Sequence, residues 1–318
     1  MGYTLCILGC GTMGIAITSG VLASLDSQGP LHRLGSGQRQ PKWDSHTPGT
    51  STPVNIAESD PTLPSRFIAC VKREETARRL RETFQPLVGG ESIEIFVDQN
   101  VAAVQQSDVV LLCCKPQVAH VILNEHGIKQ ALAGKLLISI LAGVTIVQLS
   151  NWVLSSTTVI RAMPNTACRI REGMTVVSAL PHSDTEGLNE MIILQIFSSI
   201  GRCRFLEEKH FDACTALSGS GPAFACIFLE AMVDGGVMMG LPRAEALELA
   251  AQTLQGAARM ALQPGAHPAQ IKDSVTTPGG CTIAGLLALE DGRVRSTIAR
   301  AIQVATERAS ELGQPAAK

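Results

Sequence analysis

Two rhythms of apolar and polar positions divide the chain. Up to about residue 207, short apolar runs alternate with stretches of helical spacing: Tyr3–Leu8, Arg66–Val71, Ile93–Val97, Val109–Cys114, Leu136–Ile140, Thr158–Ala162 and Met174–Ser178. Runs this short suit buried strands of a parallel sheet, and Ile15–Leu25 and Glu74–Phe84 suit the helices that cover it. The pattern predicts an α/β, doubly wound Rossmann-type domain over 1–207. From about Phe211 the chain turns to Ala, Leu, Met and Gly at helical spacing, which predicts an all-α domain over 208–318. Its helix Ala223–Met239 is apolar nearly all round, broken mainly by Glu230 and Asp234, so it is expected to be buried in a core or against another subunit. A helix start is expected in Leu217–Ala223, a second helix from Pro242, a third after Pro278-Gly279-Gly280, and an amphipathic one over Val294–Leu312. Residues 26–65 break the first rhythm: rich in Ser, Gly, Pro and Thr, with Trp43 the only aromatic, they read as an irregular surface insertion.

Composition narrows the function classes. A formal charge of -2 over 318 residues, with no long Lys/Arg run, argues against nucleic acid and against a polybasic membrane surface. The apolar runs fall short of the ~18–20 residues of a membrane helix, and the first of them opens at Tyr3 as a strand rather than a leader. The ten cysteines form no C-x-x-C pair, and Cys113-Cys114 are neighbours. They are expected to be small buried hydrophobes in a reducing compartment, with no metal site. A soluble, cytoplasmic protein is expected.

Chemistry concentrates at two glycine-rich turns. The first, Gly9-Cys10-Gly11-Thr12-Met13-Gly14, follows the Tyr3–Leu8 strand and opens a helix. Between a strand and a helix, glycines at this spacing give a tight turn, close pyrophosphate approach and helix–strand packing, the signature of a dinucleotide site. The next strand ends on Lys72-Arg73 rather than on an acid. Arg73 is read either as a clamp for the 2′-phosphate of NADP or as a solvated helix start before Glu74 and Glu75. Cys114-Lys115-Pro116 closes another strand at the ligand-binding edge. Lys115 either meets the nicotinamide amide or a substrate carboxylate, or is a surface lysine. Asn100 is a ribose contact or an N-cap, and Asn165 a polar site group or a turn residue. Ala142-Gly143 offers little bulk beside a nicotinamide ring.

The second turn lies far along the chain, in Val275-Thr276-Thr277-Pro278-Gly279-Gly280-Cys281-Thr282-Ile283-Ala284-Gly285-Leu286. Helix-start amides are unpaired and attract a small anion, two glycines admit a ligand to the backbone, and Thr282 sets a hydroxyl on the first turn. With phosphates assigned to Gly9–Gly14, this cradle is sized for a substrate carboxylate.

Together these motifs resemble the pyrroline-5-carboxylate reductases of proline biosynthesis. Gly9–Gly14, Lys115-Pro116, Leu217–Ala223, Asp234–Pro242 and above all Val275–Leu286 carry the resemblance over almost the whole chain. The resemblance implies NADPH-dependent reduction of a cyclic imine carboxylate to L-proline by a homodimer built through the C-terminal helices. It implies that Thr277, Gly279, Gly280, Cys281 and Thr282 hold the substrate, with Thr282 at the imine nitrogen and Lys115 as the other catalytic group. Gly9, Gly11, Thr12, Met13, Gly14, Arg73, Asn100, Cys114, Lys115, Pro116, Ala142 and Gly143 would hold the cofactor. Two departures stand out: the long 26–65 insertion, and Cys281 and Thr277 where the family usually has Ala or Thr and Ser. A 3-hydroxy-acid dehydrogenase would need a lysine on the long helix, and none lies between Gly219 and Gly240. An imine reductase of secondary metabolism, on a substituted or six-membered ring, remains compatible with the motifs. A non-catalytic NADP-binding protein would not need the Thr282 site.

Overall fold

The computed structural model describes residues 2–28, 60–180 and 186–312. Most of the expected insertion, with Trp43, lies outside them. The chain divides at Asp212/Ala213 into two units, and the residues from Ser310 onward return to the first.

The first unit opens with β1 (Tyr3–Leu8), α1 (Thr12–Gln28), β2 (Pro64–Val71), α2 (Glu74–Phe84), β3 (Glu94–Val97), α3 (Asn100–Gln105), β4 (Val109–Leu112) and α4 (Pro116–Leu123). It continues with α5 (Ile128–Leu132), β5 (Leu136–Ser139), α6 (Ile146–Trp152), β6 (Thr158–Met163), β7 (Gly173–Ser178), α7 (Glu186–Ser198) and β8 (Gly201–Leu206). The strands form one sheet in the order β3-β2-β1-β4-β5-β6-β7-β8. Pairing is parallel from β3 to β6 and between β7 and β8, while β6 and β7 run antiparallel. Val109–Cys114 is therefore shorter as a strand than expected, and Cys113 and Cys114 belong to the loop beyond it. β8 was not anticipated, because its burial alternates around Arg202 and Arg204 at the sheet edge instead of forming an apolar run.

Two apolar layers sandwich the sheet, as crossover helices on both faces require. Leu5, Ile7, Phe67, Leu111, Ile138 and Ile160 pack on one face, with Ile17 of α1 and Phe197 of α7. Cys6, Leu8, Ile68, Val110, Leu137 and Val159 pack on the other, with Leu123, Leu132 and Leu149 from the helices there. The alternation along β1 is the period-2 geometry of a strand buried on both sides.

After α8 (Phe211–Cys214), the second unit holds α9 (Gly221–Met238), α10 (Arg243–Ala261), α11 (Pro268–Ser274), α12 (Cys281–Asp291) and α13 (Val294–Leu312). A helix does start within Leu217–Ala223: a π-turn over Thr215–Gly219 leads from α8 to Ser220, and α9 begins at Gly221 with Pro222 in its first turn. Glu208–Met238 thus forms a 31-residue helical stretch, long and apolar enough by composition to cross a membrane. That corrects the expectation that no run reaches this length.

α9 and α10 meet around Val233, Ala246 and Ala250, with Leu229 and Val237 beside them. Gly236 permits the approach, since a Cβ there would lie 3.2 Å from the Ala246 Cβ. Little else is covered: Ile227 is 67% exposed, Leu249 58% and Leu287 60%. Within the chain itself, the all-round apolar α9 is not buried.

Candidate active site

β1 lies between β2 and β4, where the chain changes its winding direction, and ligands of such sheets bind at the carboxyl ends of these strands. The loop leaving β1 is locked there. The Gly9 and Cys10 amides both donate to the Cys70 carbonyl at the end of β2, at 3.1 and 2.9 Å. Gly9 has φ +83, and a Cβ on it would sit 2.8 Å from the Cys114 Cβ beyond β4. Gly14 presses α1 onto β1, since a Cβ there would meet the Ile7 Cγ2 at 2.9 Å. At Gly11, by contrast, the only neighbour within reach is the Gly9 carbonyl oxygen at 4.0 Å. Two glycines are required by the protein's own packing, and the third leaves the outer face of the loop bare. α1 then begins at Thr12 with no acidic residue in its first turn, so its N-terminal dipole is left for an anion. This cradle fits the pyrophosphate of a dinucleotide.

The remaining cofactor candidates lie along the same carboxyl edge. Arg73 is the N-cap residue of α2 and is exposed beside Lys72, just past the end of β2. Cys114 packs on Gly9, and burial pushes its thiol up to about 11. Lys115 is the exposed N-cap residue of α4, and Pro116 takes the first helical position, where no amide is needed. Ala142 and Gly143 (φ +75) occupy the loop after β5. Asn100 does not cap its helix. It is the first residue of α3 rather than its cap, and its side-chain amide donates to both carboxylate oxygens of Glu125, at 2.9 and 3.1 Å. Asn165 is a turn residue: it precedes the 3-10 turn Thr166–Ile170, and its Oδ1 accepts from the Met174 amide.

Thr277, Gly279, Gly280, Cys281 and Thr282 fall in the second unit and form one compact turn. Gly279 has φ +70, a left-handed conformation that admits glycine readily. The Gly280 amide donates to the Thr277 carbonyl at 3.1 Å, and a Cβ on Gly280 would lie 2.5 Å from the Thr277 Oγ1. Gly280 is the N-cap residue of α12, an eleven-residue helix, and lacks a side chain to satisfy the first amides. No acidic residue occupies the first turn either. Thr18, Thr297 and Thr306 each bond back to a carbonyl four residues earlier. Thr282, second in its helix, has no helical carbonyl behind it, and its half-buried hydroxyl makes no hydrogen bond among the described residues. The turn therefore presents unpaired amides and an unpaired hydroxyl together, a carboxylate site with a polar handle.

All ten cysteines are free thiols. Cys6 and Cys70, on adjacent strands, bring their sulfurs to 3.6 Å, and burial pushes the Cys10 thiol up to about 12. Two depart from the expected burial, since Cys226 and Cys281 are exposed. Among the described residues no cluster of three or more His, Cys, Asp or Glu could hold a metal ion.

Sequence reasoning missed one polar group, Arg161 of β6. It is 2% exposed, paired to Glu208 at 3.2 Å, and sits with its guanidinium carbon 4.8 Å from the centre of the Phe211 ring. It lies inside the apolar run Thr158–Ala162, where a single charge reads as an interruption. Only the spatial neighbours 47 to 51 residues later explain it.

Comparison with known proteins agrees with this geometry. The family model for pyrroline-5-carboxylate reductase dimerisation matches residues 208–312. That for NADP oxidoreductase, coenzyme F420-dependent, matches residues 54–143. A pyrroline-5-carboxylate reductase from Lophium arboricola is 47% identical, over 98% of this chain and 93% of the relative. One from Schizosaccharomyces pombe is 44% identical, over 97% of this chain and 99% of the relative. Among solved structures, Plasmodium falciparum pyrroline carboxylate reductase with NADP bound superposes with a TM-score of 0.73 at 26% identity, covering 98% of this chain and 100% of that one. With an unhindered dinucleotide loop, an uncapped Gly280–Thr282 turn and relatives alike over nearly their whole length, the chain belongs to the pyrroline-5-carboxylate reductase family.

Proposed function

We propose that this protein reduces L-1-pyrroline-5-carboxylate to L-proline with NADPH, acting as a homodimer in the cytoplasm. The observation that carries the proposal is the turn at α12, where free helix-start amides, a glycine packed against Thr277 and a hydroxyl with no partner among the described residues stand together. The amides of Cys281 and Thr282 bind the carboxylate, charge-assisted and aligned with the helix dipole. The Thr282 hydroxyl accepts a hydrogen bond from the protonated ring nitrogen, which favours the iminium form and fixes the face of the ring. When bound, the dinucleotide supplies the hydride that reduces the C=N carbon. The Gly9–Gly14 loop holds its pyrophosphate, and Ala142 and Gly143 leave room for the nicotinamide ring. Lys115, extended from the N-terminus of α4, orients the carboxamide or the substrate carboxylate. The iminium already carries the charge that reduction neutralises, so positioning rather than acid–base chemistry supplies most of the rate.

Preference for NADPH over NADH is assigned to Arg73, whose guanidinium can fork onto a 2′-phosphate, with Lys72 adding charge beside it. The homodimer is assigned to the C-terminal helices. Ile227, Phe228, Met232, Leu249 and Leu287 expose far more apolar surface than an isolated unit of this size tolerates. The dimerisation family model spans these same residues, which favours a second copy over a bilayer as the cover for α9. Ten free thiols, two of them on adjacent strands and unjoined, fit a reducing compartment.

The test is NADPH oxidation with pyrroline-5-carboxylate, with its six-membered homologue, and with a 3-hydroxy acid plus NADP. Turnover on the five-membered imine at a kcat/KM well above the other two supports the proposal. A preference for the six-membered ring, or activity on the hydroxy acid alone, overturns it.

A further inference from the structure

Arg161 is the largest fully buried side chain of the described residues, and its charge is incompletely answered. Its Nη1 donates to the Glu208 Oε1 at 3.2 Å, whereas its Nη2 stands 3.9 Å from the Asp212 Oδ1, beyond hydrogen-bond reach. Neither Nε nor Nη2 has a hydrogen-bond partner among the described residues. A guanidinium left with unpaired donors in a core is costly, and an apolar side chain of similar size would usually be more stable there. Something other than stability is needed to account for it.

Its partners indicate what that is. The Glu208 Oε1 that accepts from Arg161 also accepts from the Ile146 amide at 2.7 Å. Ile146 begins α6 and directly ends the loop that carries Ala142 and Gly143. On the other side, the Asp212 Oδ2 accepts from the Ser310 hydroxyl at 2.8 Å. Asp212 and Ser310 are the two points at which the chain leaves the first unit for the helical one and returns from it. Phe211, completely buried and between Glu208 and Asp212 in sequence, packs under the guanidinium. Within the first unit, one side chain on β6 thus shares its carboxylate partner with the loop after β5.

We infer that Arg161 is a positioning residue for the reduction: through the Glu208 carboxylate, which also takes the Ile146 amide, it fixes the loop that carries Ala142 and Gly143. This rests on the proposed reductase function. Arg161 touches neither substrate nor cofactor, and the Gly9–Gly14 loop and Arg73, to which most of the dinucleotide affinity is assigned, lie outside its contacts, so its loss lowers turnover far more than NADPH affinity. An ångström of misplacement from a distant change costs about a hundredfold in rate, so a loosened loop is expected to lower kcat about tenfold or more.

The experiment uses the full-length protein with R161K, which keeps the charge and removes the fork, and E208A, which removes the shared acceptor at a partly exposed position. Three quantities are read on each: amide hydrogen exchange over residues 141–146, the dissociation constant of NADPH, and kcat with pyrroline-5-carboxylate. Faster exchange at 141–146, about tenfold lower kcat and an NADPH constant within about threefold of the parent support the inference. Faster exchange with unchanged kcat reduces Arg161 to a structural role and overturns it, as does unchanged exchange. If R161K does not fold, E208A decides alone. Failure of the parent protein to oxidise NADPH with this substrate would instead overturn the reductase function, and the exchange data would still report whether the clamp exists.

Discussion

At the scale of single residues, the site turns on groups left without partners. Thr282 is distinguished from the other helical threonines only by its place in the first turn of α12, which removes the carbonyl its hydroxyl would otherwise bond. Replacing it with Ala removes one hydrogen bond to a charged nitrogen, and kcat/KM for the imine is expected to fall about ten- to a hundredfold, with NADPH affinity unchanged. Thr282→Ser should recover most of that loss; an Ala variant with full turnover would leave Thr282 as a packing residue. Arg73 makes the corresponding case for the cofactor. Arg73→Ala should raise the KM for NADPH by roughly tenfold while leaving that for NADH nearly constant, because only NADPH carries the phosphate the fork grips. Equal effects on both cofactors would contradict the assignment.

At the scale of elements, much of this architecture was legible because local pattern and tertiary role coincide. Tyr3–Leu8, Glu74–Phe84 and Val294–Leu312 follow the boundaries that periodicity implies, since each keeps one regular pattern from end to end. β8 escaped because an edge strand with Arg202 and Arg204 looks polar, and the Asn100–Glu125 bond could not be foreseen because the two residues lie 25 apart in sequence. The Gly280 turn could be read from its residues alone, as glycine at an N-cap leaves amides open whatever surrounds it. Arg161 could not, as its meaning lies in contacts the sequence does not order. The strands also carry a pH signature. Burial raises the thiols of Cys10 and Cys203 from 9.0 to about 12 and that of Cys114 to about 11. The unfolded chain, with ordinary thiols, loses these protons first. The stabilisation by neutral buried thiols is therefore complete below about pH 9 and is lost as pH rises toward the folded values. The urea midpoint should be insensitive to these groups up to pH 8 and decline from pH 9 to 11. A midpoint level across that range would show that the thiols are not held neutral by the fold.

At the scale of the whole molecule, the two units differ in how they satisfy their apolar surface. The sheet unit encloses both of its layers, whereas the described core cluster of the helical unit is small, centred on Val233, Ala246 and Ala250. Assembly is the physical answer, and it ties stability to concentration. Ile227→Glu places a charge on an apolar position of α9 that is largely exposed in the single chain. It is expected to convert the dimer into monomer or aggregate in light scattering, with loss of activity, whereas Val88→Glu on the sheet unit, also exposed, should leave the assembly intact. A fully active dimeric Ile227→Glu would move the interface elsewhere. The central claim, that this chain delivers hydride to the imine carbon of a ring whose carboxylate sits at α12, has a direct readout. NADPH deuterated at the transferring position should be consumed mole for mole with pyrroline-5-carboxylate, and the label should appear in L-proline at the ring carbon that was double-bonded to nitrogen. Consumption without labelled proline, or no consumption at all, would contradict it.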